Sequence, residues 1–231
     1  YASWYFLFDF FWTTQFLAAF GEITLACVFA TWYFTYDERK GELARVVPRS
    51  IKCVVRHHLG TAAFGSFVIA VVQLARAAVM YVQKRMNALA RRGGWVEKAT
   101  KAVLCCIACC LWCVEKCLKF INRNAYIQTG VFGHGFCRAG KEAFHLILRN
   151  LARIGALHVI GSFIFIIGKV FIALCSTLVC YYYLTQYRVD DLTSCVYPSL
   201  LCFCLSYYTA RIFVGIVDFG ADTILQCFIA D

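Results

Sequence analysis

The chain has 231 residues, 61% of them hydrophobic and 17% aromatic, with a formal net charge of +10 at pH 7. Its mean hydropathy of +0.67 lies above the usual range of a soluble domain. The 15 cysteines lie mostly inside long apolar runs, which excludes a small, loop-rich disulfide scaffold. The basic residues cluster at the ends of these runs and do not form an aromatic-interleaved stripe, so we expect no nucleic-acid partner.

Apolar runs divide the chain into about five predicted membrane segments. Several of them approach or exceed the roughly 20 residues that a helix needs to cross about 30 Å of hydrocarbon. A spanning helix also satisfies its own backbone hydrogen bonds, which lipid does not. We therefore predict an all-α fold, a polytopic transmembrane helical bundle in a lipid bilayer, with amphipathic interfacial helices. In chain order the segments cover residues 4–36, 59–81, 102–136, 157–184 and 196–219.

The distribution of charge predicts how these segments are oriented. Short loops rich in Lys and Arg stay in the cytoplasm, and residues 37–58 hold six basic residues while residues 138–153 hold four. Asp190 and Asp191 mark an outer loop, which predicts a cytoplasmic C-terminus. Residues 84–101 are also basic and leave two alternatives. They lie outside if the second and third segments both cross the membrane, and they are cytoplasmic or interfacial if neither does.

A set of basic residues between the third and fourth segments recurs at helical intervals. It consists of Arg138, Lys141, Arg149 and Arg153. This spacing gathers the charges on one side of a helix, which predicts an amphipathic helix lying against lipid headgroups.

Glu22 is a carboxylate in the middle of the first segment. An ionised side chain at that depth costs roughly 2.5–3.5 kcal/mol on insertion scales unless it faces protein or water. With Trp12 and Thr24 on the same segment, Glu22 either faces a polar pathway or serves as a neutral, hydrogen-bonded residue that joins two helices.

Gln73 follows a set of small residues in the second segment. Gly60, Gly65 and Ser66 permit close packing between membrane helices. Gln73 is then a polar group held between helices, and it either lines a path or only stabilises the contact.

The densest polar cluster lies in the third segment. Asn122, Asn124 and Tyr126 precede Gly130 and Gly133, which loosen a helix and expose its carbonyl groups. Non-helical backbone at membrane depth is tolerated where it lines a cavity, and transporters place substrate sites at such breaks. The alternative is a cytoplasmic elbow in which the asparagines cap helices. The asparagines and glycines are therefore candidates for a gate or a scaffold, with Tyr126 as a candidate ligand contact.

Six cysteines crowd one helical stretch, residues 105–117. One straight helix does not wrap four thiolates around an ion, so we expect no metal site there. Packing against lipid or neighbouring helices is the simplest explanation, and palmitoylation near the membrane edge is an alternative.

The chain carries no recognisable catalytic signature. Its five histidines do not form an HExxH motif, and no nucleophile elbow or phosphate-binding loop is present in the sequence. We therefore predict no enzymatic activity, no catalytic residues and no cofactor.

Five blocks of sequence carry a resemblance to a known family. The most informative is residues 122–150, NRNAYIQTGVFGHGFCRAGKEAFHLILRN, and the others are residues 25–34, 56–76, 105–116 and 217–228. Together they resemble the choline transporter-like family, a group of polytopic membrane solute carriers. Family members are longer, so the resemblance implies that this chain is roughly the C-terminal half, part of one transmembrane transporter domain.

The resemblance implies transport of choline or a related organic cation, since relatives move choline, ethanolamine or, in one branch, thiamine pyrophosphate. It also implies an integral, multi-pass protein of the plasma membrane or an organelle membrane, and it favours the alternative with two crossings. On this interpretation Glu22, Trp12 and Tyr126 form a carboxylate and aromatic cage, Gln73 lines the path, and helix rocking alternates its exposure. Family members usually have Gln in place of Glu22, which leaves the substrate preference open.

The alternative function is a structural, non-transporting subunit of a larger membrane protein assembly. A family scaffold can lose transport and keep its packing. The run Ala26-Cys27-Val28 also departs from the glycine-containing run that relatives have there. The partners are then other membrane protein subunits in place of a choline-like small molecule.

Overall fold

The structure, a computed structural model, describes residues 2–35, 45–89, 95–187 and 195–230. Every regular element within those ranges is helical, so the predicted all-α class is confirmed. The elements are α1 (Ala2–Phe34), α2 (Val46–Cys53), a π-helical segment (Val54–His58), α3 (Leu59–Leu89), α4 (Trp95–Phe132), α5 (Phe136–Arg149), α6 (Leu151–Tyr187) and α7 (Val196–Ala230). The predicted acidic outer loop, around Asp190, lies outside the described residues.

Four helices in these ranges are long and apolar enough to cross a membrane. They cover Ala2–Phe34, Val46–Met86, Ile154–Gln186 and Val196–Ala230, and they coincide with the first, second, fourth and fifth predicted segments. The third predicted segment falls mostly within α4, a continuous helix that carries several charged residues. Whether α4 crosses the membrane stays a prediction.

The chain divides into two compact units, Tyr1–Leu146 and Ile147–Asp231. In the first unit α1, α3 and α4 pack on one another, while α2 and the π-helical segment pack on α1. In the second unit α6 packs on α7. Three mutually packed helices enclose side chains that two helices leave open to their surroundings, so enclosed polar groups are expected in the first unit.

α1 and α3 run antiparallel. The rings of Phe8 and Phe67 pack edge to face with centroids 5.9 Å apart, and those of Trp4 and Tyr81 do so at 5.6 Å. An earlier residue of α1 therefore meets a later residue of α3, as expected for consecutive helices that cross a membrane in opposite directions.

α4 runs antiparallel to α3 and therefore parallel to α1. Its Asn122 contacts Gly65, and farther back its Glu115 contacts Arg76, which comes later in α3. Gly130 of α4 touches α1. The part of α4 that precedes Gly130 thus lies beside α1, which is itself a candidate span. This register supports the prediction that α4 also crosses the membrane.

Small and medium-sized side chains fill the interior of the first unit. Its buried cluster consists of Ala19, Ile23, Val54, Ala62 and Tyr126. In lipid, helix association comes from close packing and interhelical hydrogen bonds rather than from the exclusion of water. The two alanines allow the helix backbones to approach, and the ring of Tyr126 packs in the space between them.

A tight turn joins α4 to α5. Gly133, which follows the last residue of α4, has φ +73°, and its N–H donates to the carbonyl of Thr129 at 2.9 Å. A residue with a side chain would be strained in this left-handed conformation, so glycine ends the helix. The alternative in which asparagines cap helices is wrong, because Asn122 and Asn124 lie inside α4.

α5 is amphipathic, as its basic spacing predicted, but Arg153 of the predicted set lies in α6. It buries Ala143 and exposes Arg138 and Lys141. The Glu142 carboxylate lies 2.8 Å from Nε of Arg138 and 2.7 Å from Nδ1 of His134. The hydrogen bond from Arg138, together with the charge of His134, holds the pKa of Glu142 below its usual range.

In the second unit α6 and α7 lie antiparallel. Nδ1 of His158 in α6 is 3.6 Å from a carboxylate oxygen of Asp222 in α7. Farther along α6, the carbonyl oxygen of Ser176 lies 3.7 Å from Sγ of Cys202 in α7. His158 and Asp222, together with Asp218, line a groove of about 230 Å³ between the two helices. These three titratable side chains thus border an open groove, whereas Thr223 and Gln226 of α7 are buried.

Candidate functional site

Tyr126 of α4 is a buried aromatic residue in the centre of the first unit, with 3% of its surface exposed. It fits against α3 because residue 65 is glycine, where a Cβ would overlap the Tyr126 hydroxyl and lie 2.7 Å from the Phe136 ring. Within the described part of the chain, the Tyr126 hydroxyl completes no hydrogen bond, although the side chain of Asn122 lies near it. A buried hydroxyl left without a partner costs about 1–3 kcal/mol. This group is therefore a candidate contact for a bound molecule.

Asn122 fixes α4 to α3 one turn before Tyr126. Its Nδ2 donates a hydrogen bond of 2.8 Å to the carbonyl oxygen of Gly65, and only 2% of Asn122 is exposed. A backbone carbonyl has two lone pairs, so Gly65 accepts this bond without losing its place in the helix. The contact holds Gly65 against Tyr126 and favours the scaffold role for Asn122.

Glu22 of α1 faces α4 near Tyr126. Glu22 is half-buried, and it is close enough to interact electrostatically with the Arg123 guanidinium and with the Tyr126 hydroxyl. The next residue, Ile23, packs in the same buried cluster as Tyr126. Arg123 compensates a carboxylate that would be costly at this depth if it were isolated. The structure thus brings together two of the four residues predicted to line the path.

Trp12 lies farther along α1 and makes a different contact. Its Nε1 donates to the carbonyl of Ala63 at 3.3 Å, and its ring packs edge to face on Phe67 with centroids 5.9 Å apart. Its position in the sequence puts it about 15 Å from Glu22 along a straight helix. A small cation does not span that distance, so the structure does not unite Trp12 and Glu22 in one cage.

Gln73 takes part in an ion-pair network that the sequence analysis missed. Three donors surround the Glu115 carboxylate: Gln73 Nε2 at 3.1 Å, Arg76 Nη1 at 2.8 Å and Lys119 Nζ at 2.7 Å. Glu115 is 6% exposed. Along α4 it lies roughly 16 Å from Tyr126, so Gln73 and the Glu22–Tyr126 pair occupy different levels of the bundle. The available signal was a carboxylate inside a predicted membrane segment.

Two other gate candidates occupy distinct positions on α4. Nδ2 of Asn124 donates to the carbonyl of Phe120 at 2.7 Å, within the same helix. Gly130 lies against α1, where a Cβ would overlap that of Ala26 and lie 3.0 Å from the backbone nitrogen of Cys27. Gly130 is therefore at a helix contact, whereas the contact described for Asn124 is internal to α4.

The six cysteines of residues 105–117 are all exposed on α4. In the ranges that the structure describes, no group of three His, Cys, Asp or Glu side chains is placed to hold a metal ion. The exposure of these thiols agrees with packing against lipid, and their palmitoylation stays a prediction.

A comparison with protein families agrees with this membrane architecture. The family model described as "Plasma-membrane choline transporter" matches residues 1–231. The chain belongs to this family. The resemblance to choline transporter-like proteins is thereby confirmed, and together with the four candidate spans it identifies the chain as part of an integral, multi-pass membrane protein.

Curated relatives in the choline transporter-like family match nearly the whole chain. Choline transporter-like 2 of Anopheles gambiae is 37% identical over 223 residues, which are 96% of this chain and 27% of the relative. Choline transporter-like protein 2 of Danio rerio is 34% identical over 233 residues, covering 98% and 33%. Choline transporter-like protein 1 of Mus musculus is 32% identical over 231 residues, covering 100% and 34%. The chain thus spans about a third or less of the length of these relatives, which is less than the half that the resemblance implied.

Proposed function

We propose that this chain forms part of a membrane pathway for choline or a related organic cation. The observation that carries the proposal is the position of Glu22 level with Tyr126, since Ala26 and Gly130, four residues later on each of the two parallel helices, are in contact. The buried Tyr126 hydroxyl completes no hydrogen bond among the described residues. Membership of the choline transporter-like family supports a choline-like substrate. Because the chain spans about a third of the length of its relatives, the proposed activity is that of the complete protein.

The groups around Glu22 suit a quaternary ammonium ion. Such an ion has no N–H group, so a protein recognises it by opposite charge and by aromatic faces rather than by hydrogen bonds to the nitrogen. The rings of Tyr126 and Phe136 lie 6.1 Å apart, and each cation–π contact contributes about 0.5–2 kcal/mol. The alcohol of choline supplies the hydrogen-bond partner that the Tyr126 hydroxyl lacks.

The helices must part before a cation can enter this site. Gly65 packs directly on Tyr126, and Arg123 interacts with Glu22. In our proposal α1, α3 and α4 rock relative to one another, and the cation replaces Arg123 as the partner of Glu22. The site then closes on one side and opens on the other, as in other helical transporters. Trp12 and Gln73 line the route at other levels of the bundle.

The proposed orientation follows the distribution of basic residues. The C-terminus and residues 37–58 are cytoplasmic in this proposal, because short basic loops stay inside. A C-terminal epitope tag tests this orientation. An antibody against the tag is expected to stain cells only after they are permeabilised, and staining of intact cells would show the opposite orientation.

Uptake of radiolabelled choline by reconstituted full-length protein tests the pathway. We expect Glu22→Gln to lower kcat/KM about 10-fold or more, since contacts with charged groups contribute about 1.5–3 kcal/mol. Asp9→Asn is the matched control, because Asp9 is an exposed carboxylate on the same helix. Unaltered saturable uptake in Glu22→Gln would remove Glu22 from the mechanism.

A structural subunit is the second candidate function. It is favoured by the tight contact of Gly65 with Tyr126 and by the Glu115 network, both of which a static scaffold also requires. Co-purification with other membrane proteins in fixed stoichiometry, without stabilisation by choline, would support this function. A rise in Tm with choline concentration would instead support the transporter, because a ligand that binds the folded state stabilises it by mass action.

A further inference from the structure

A cavity of about 310 Å³ lies between α2 and the C-terminal ends of α1 and α4. Thr31 and Phe34 of α1 line it, and Arg49 of α2 lies on the opposite wall. Two thiols also line it, those of Cys27 and Cys53. The cavity therefore combines an aromatic side chain, hydroxyl groups, one cationic side chain and two thiol groups.

The cavity lies beyond Glu22 and Tyr126, toward the C-terminal ends of α1 and α4. Cys27 follows Glu22 on α1, and Gly130 follows Tyr126 on α4, at a rise of about 1.5 Å per residue. Because α1 and α4 run parallel, the candidate site and the cavity are roughly 6–8 Å apart along both helices.

The contact between Ala26 and Gly130 separates the candidate site from the cavity. A Cβ at Gly130 would overlap that of Ala26, and it would lie 3.0 Å from the nitrogen of Cys27 and 3.2 Å from the carbonyl carbon of Ala26. Two of these three neighbours are backbone atoms, so the helix backbones themselves approach closely here. A small ion does not pass between them in this arrangement.

We propose that Ala26 and Gly130 form a gate between the Glu22–Tyr126 site and this cavity, and that the cavity is the vestibule of the organic cation. This inference rests on the proposed transport function. When α1 and α4 part, the cation moves between the site and the vestibule, where the ring of Phe34 offers it an aromatic face. The charge of Arg49 limits its residence there, since conduction requires binding weak enough for release.

The native thiols report on the gate. The reagent is a methanethiosulfonate that carries a trimethylammonium group, which forms a disulfide with an accessible cysteine and releases a sulfinate. Peptide mass spectrometry measures labelling of Cys27, which is half-buried beside the gate, and of Cys53, which is exposed. Cys137 is the control, an exposed thiol that does not line this cavity.

Choline is expected to protect the vestibule thiols of the reconstituted full-length protein. At a concentration about 10 times its Kd for the vestibule, choline should lower the labelling rate of Cys27 about 10-fold, because only the unoccupied fraction reacts. Labelling of Cys137 should not change. Equal labelling of Cys27 with and without saturating choline would overturn the vestibule.

Gly130→Ala tests the gate itself. The added methyl group destabilises the closed contact, so labelling of Cys27 relative to Cys53 should rise about 10-fold. Gly21→Ala is the matched control, because a Cβ there meets nothing within 4 Å. Ala26→Gly combined with Gly130→Ala removes the worst overlap and should restore part of the original ratio.

The outcomes separate this inference from the function on which it rests. Saturable choline uptake with unprotected Cys27, or an unchanged labelling ratio in a well-folded Gly130→Ala protein, would overturn the gate and leave transport standing. Absence of saturable uptake by the full-length protein would overturn the proposed transport and the gate with it. Protection by choline supports the vestibule even if Gly130→Ala fails to fold.

Discussion

The two units of the chain handle polar groups in different ways. In the most apolar stretches of α1 and of the helix containing α3, 28% and 22% of the residues are buried, against 6% in α6 and 6% in α7. Glu115 of the first unit is enclosed by three donors, whereas Asp222 of the second borders an open groove. A third helix allows a membrane protein to enclose charged groups and to hold them in fixed positions.

The largest difference is expected between these two carboxylates. Glu115→Ala leaves Arg76 without its partner carboxylate and should lower the free energy of unfolding by about 3 kcal/mol. Asp222→Asn should lower it by less than about 1 kcal/mol, because the ion pair of Asp222 with His158 is half exposed and 3.6 Å long. Thermal or denaturant unfolding in detergent measures both. Equal losses would contradict the distinction between an enclosed and an open carboxylate.

Added methyl groups should also act differently in the two units. Gly65→Ala overpacks the contact with Tyr126 and should cost about 1–3 kcal/mol. Gly168→Ala in α6 meets nothing within 4 Å and should stabilise its helix by about 0.5–1 kcal/mol. The comparison uses Tm in the same detergent. Similar Tm shifts for both variants would show that α3 and α4 pack less tightly than described.

Removal of the Tyr126 hydroxyl should separate stability from transport. Tyr126→Phe removes a buried hydroxyl that completes no hydrogen bond within the described chain, so the free energy of unfolding should rise by about 1–3 kcal/mol. Choline uptake should fall, because the proposed partner of the choline alcohol is lost. A large fall in Tm with unaltered uptake would make Tyr126 a packing residue only.

The smallest expected effect concerns pH at α5. The hydrogen bond from Arg138 depresses the pKa of Glu142 in the folded chain, with His134 adding to the effect. The stabilisation is therefore present above the ordinary pKa of a glutamate and is lost as pH falls through the lower, folded value. Tm measured at neutral pH and near pH 4 should fall more in the unaltered chain than in Glu142→Gln. An equal fall in Tm for both proteins would show that Glu142 does not contribute to the pH dependence of stability.

Composition and periodicity predicted most of the fold. The long apolar runs predicted the four helices that are candidate spans, because a single segment in lipid satisfies its backbone hydrogen bonds by forming a helix. The basic spacing around Arg138 gave α5. The continuity of α4 through Asn122 and Asn124 did not follow from sequence, since asparagine is common both at helix caps and in helices that pack tightly.

The arrangement of the candidate site was harder to predict. Glu22 stood out as a carboxylate in an apolar run, but its neighbour Tyr126 is a hundred residues away on a helix whose register no local pattern specifies. The same holds for Glu115, whose partners Gln73 and Arg76 come from α3. The predicted cage that includes both Trp12 and Glu22 could have been excluded from sequence, because the two residues are too far apart on α1 to bind one small cation.

The direction of the helix that contains α2 and α3 has a topological consequence. It carries Arg49, Lys52 and Arg56 near its beginning and Lys84 and Arg85 near its end, and its apolar stretch is long enough to cross the bilayer. A crossing places these two cationic clusters in different compartments. One of the two clusters then lies outside the cytoplasm, against the usual charge preference, and away from the anionic lipids of the cytoplasmic leaflet that attract the other.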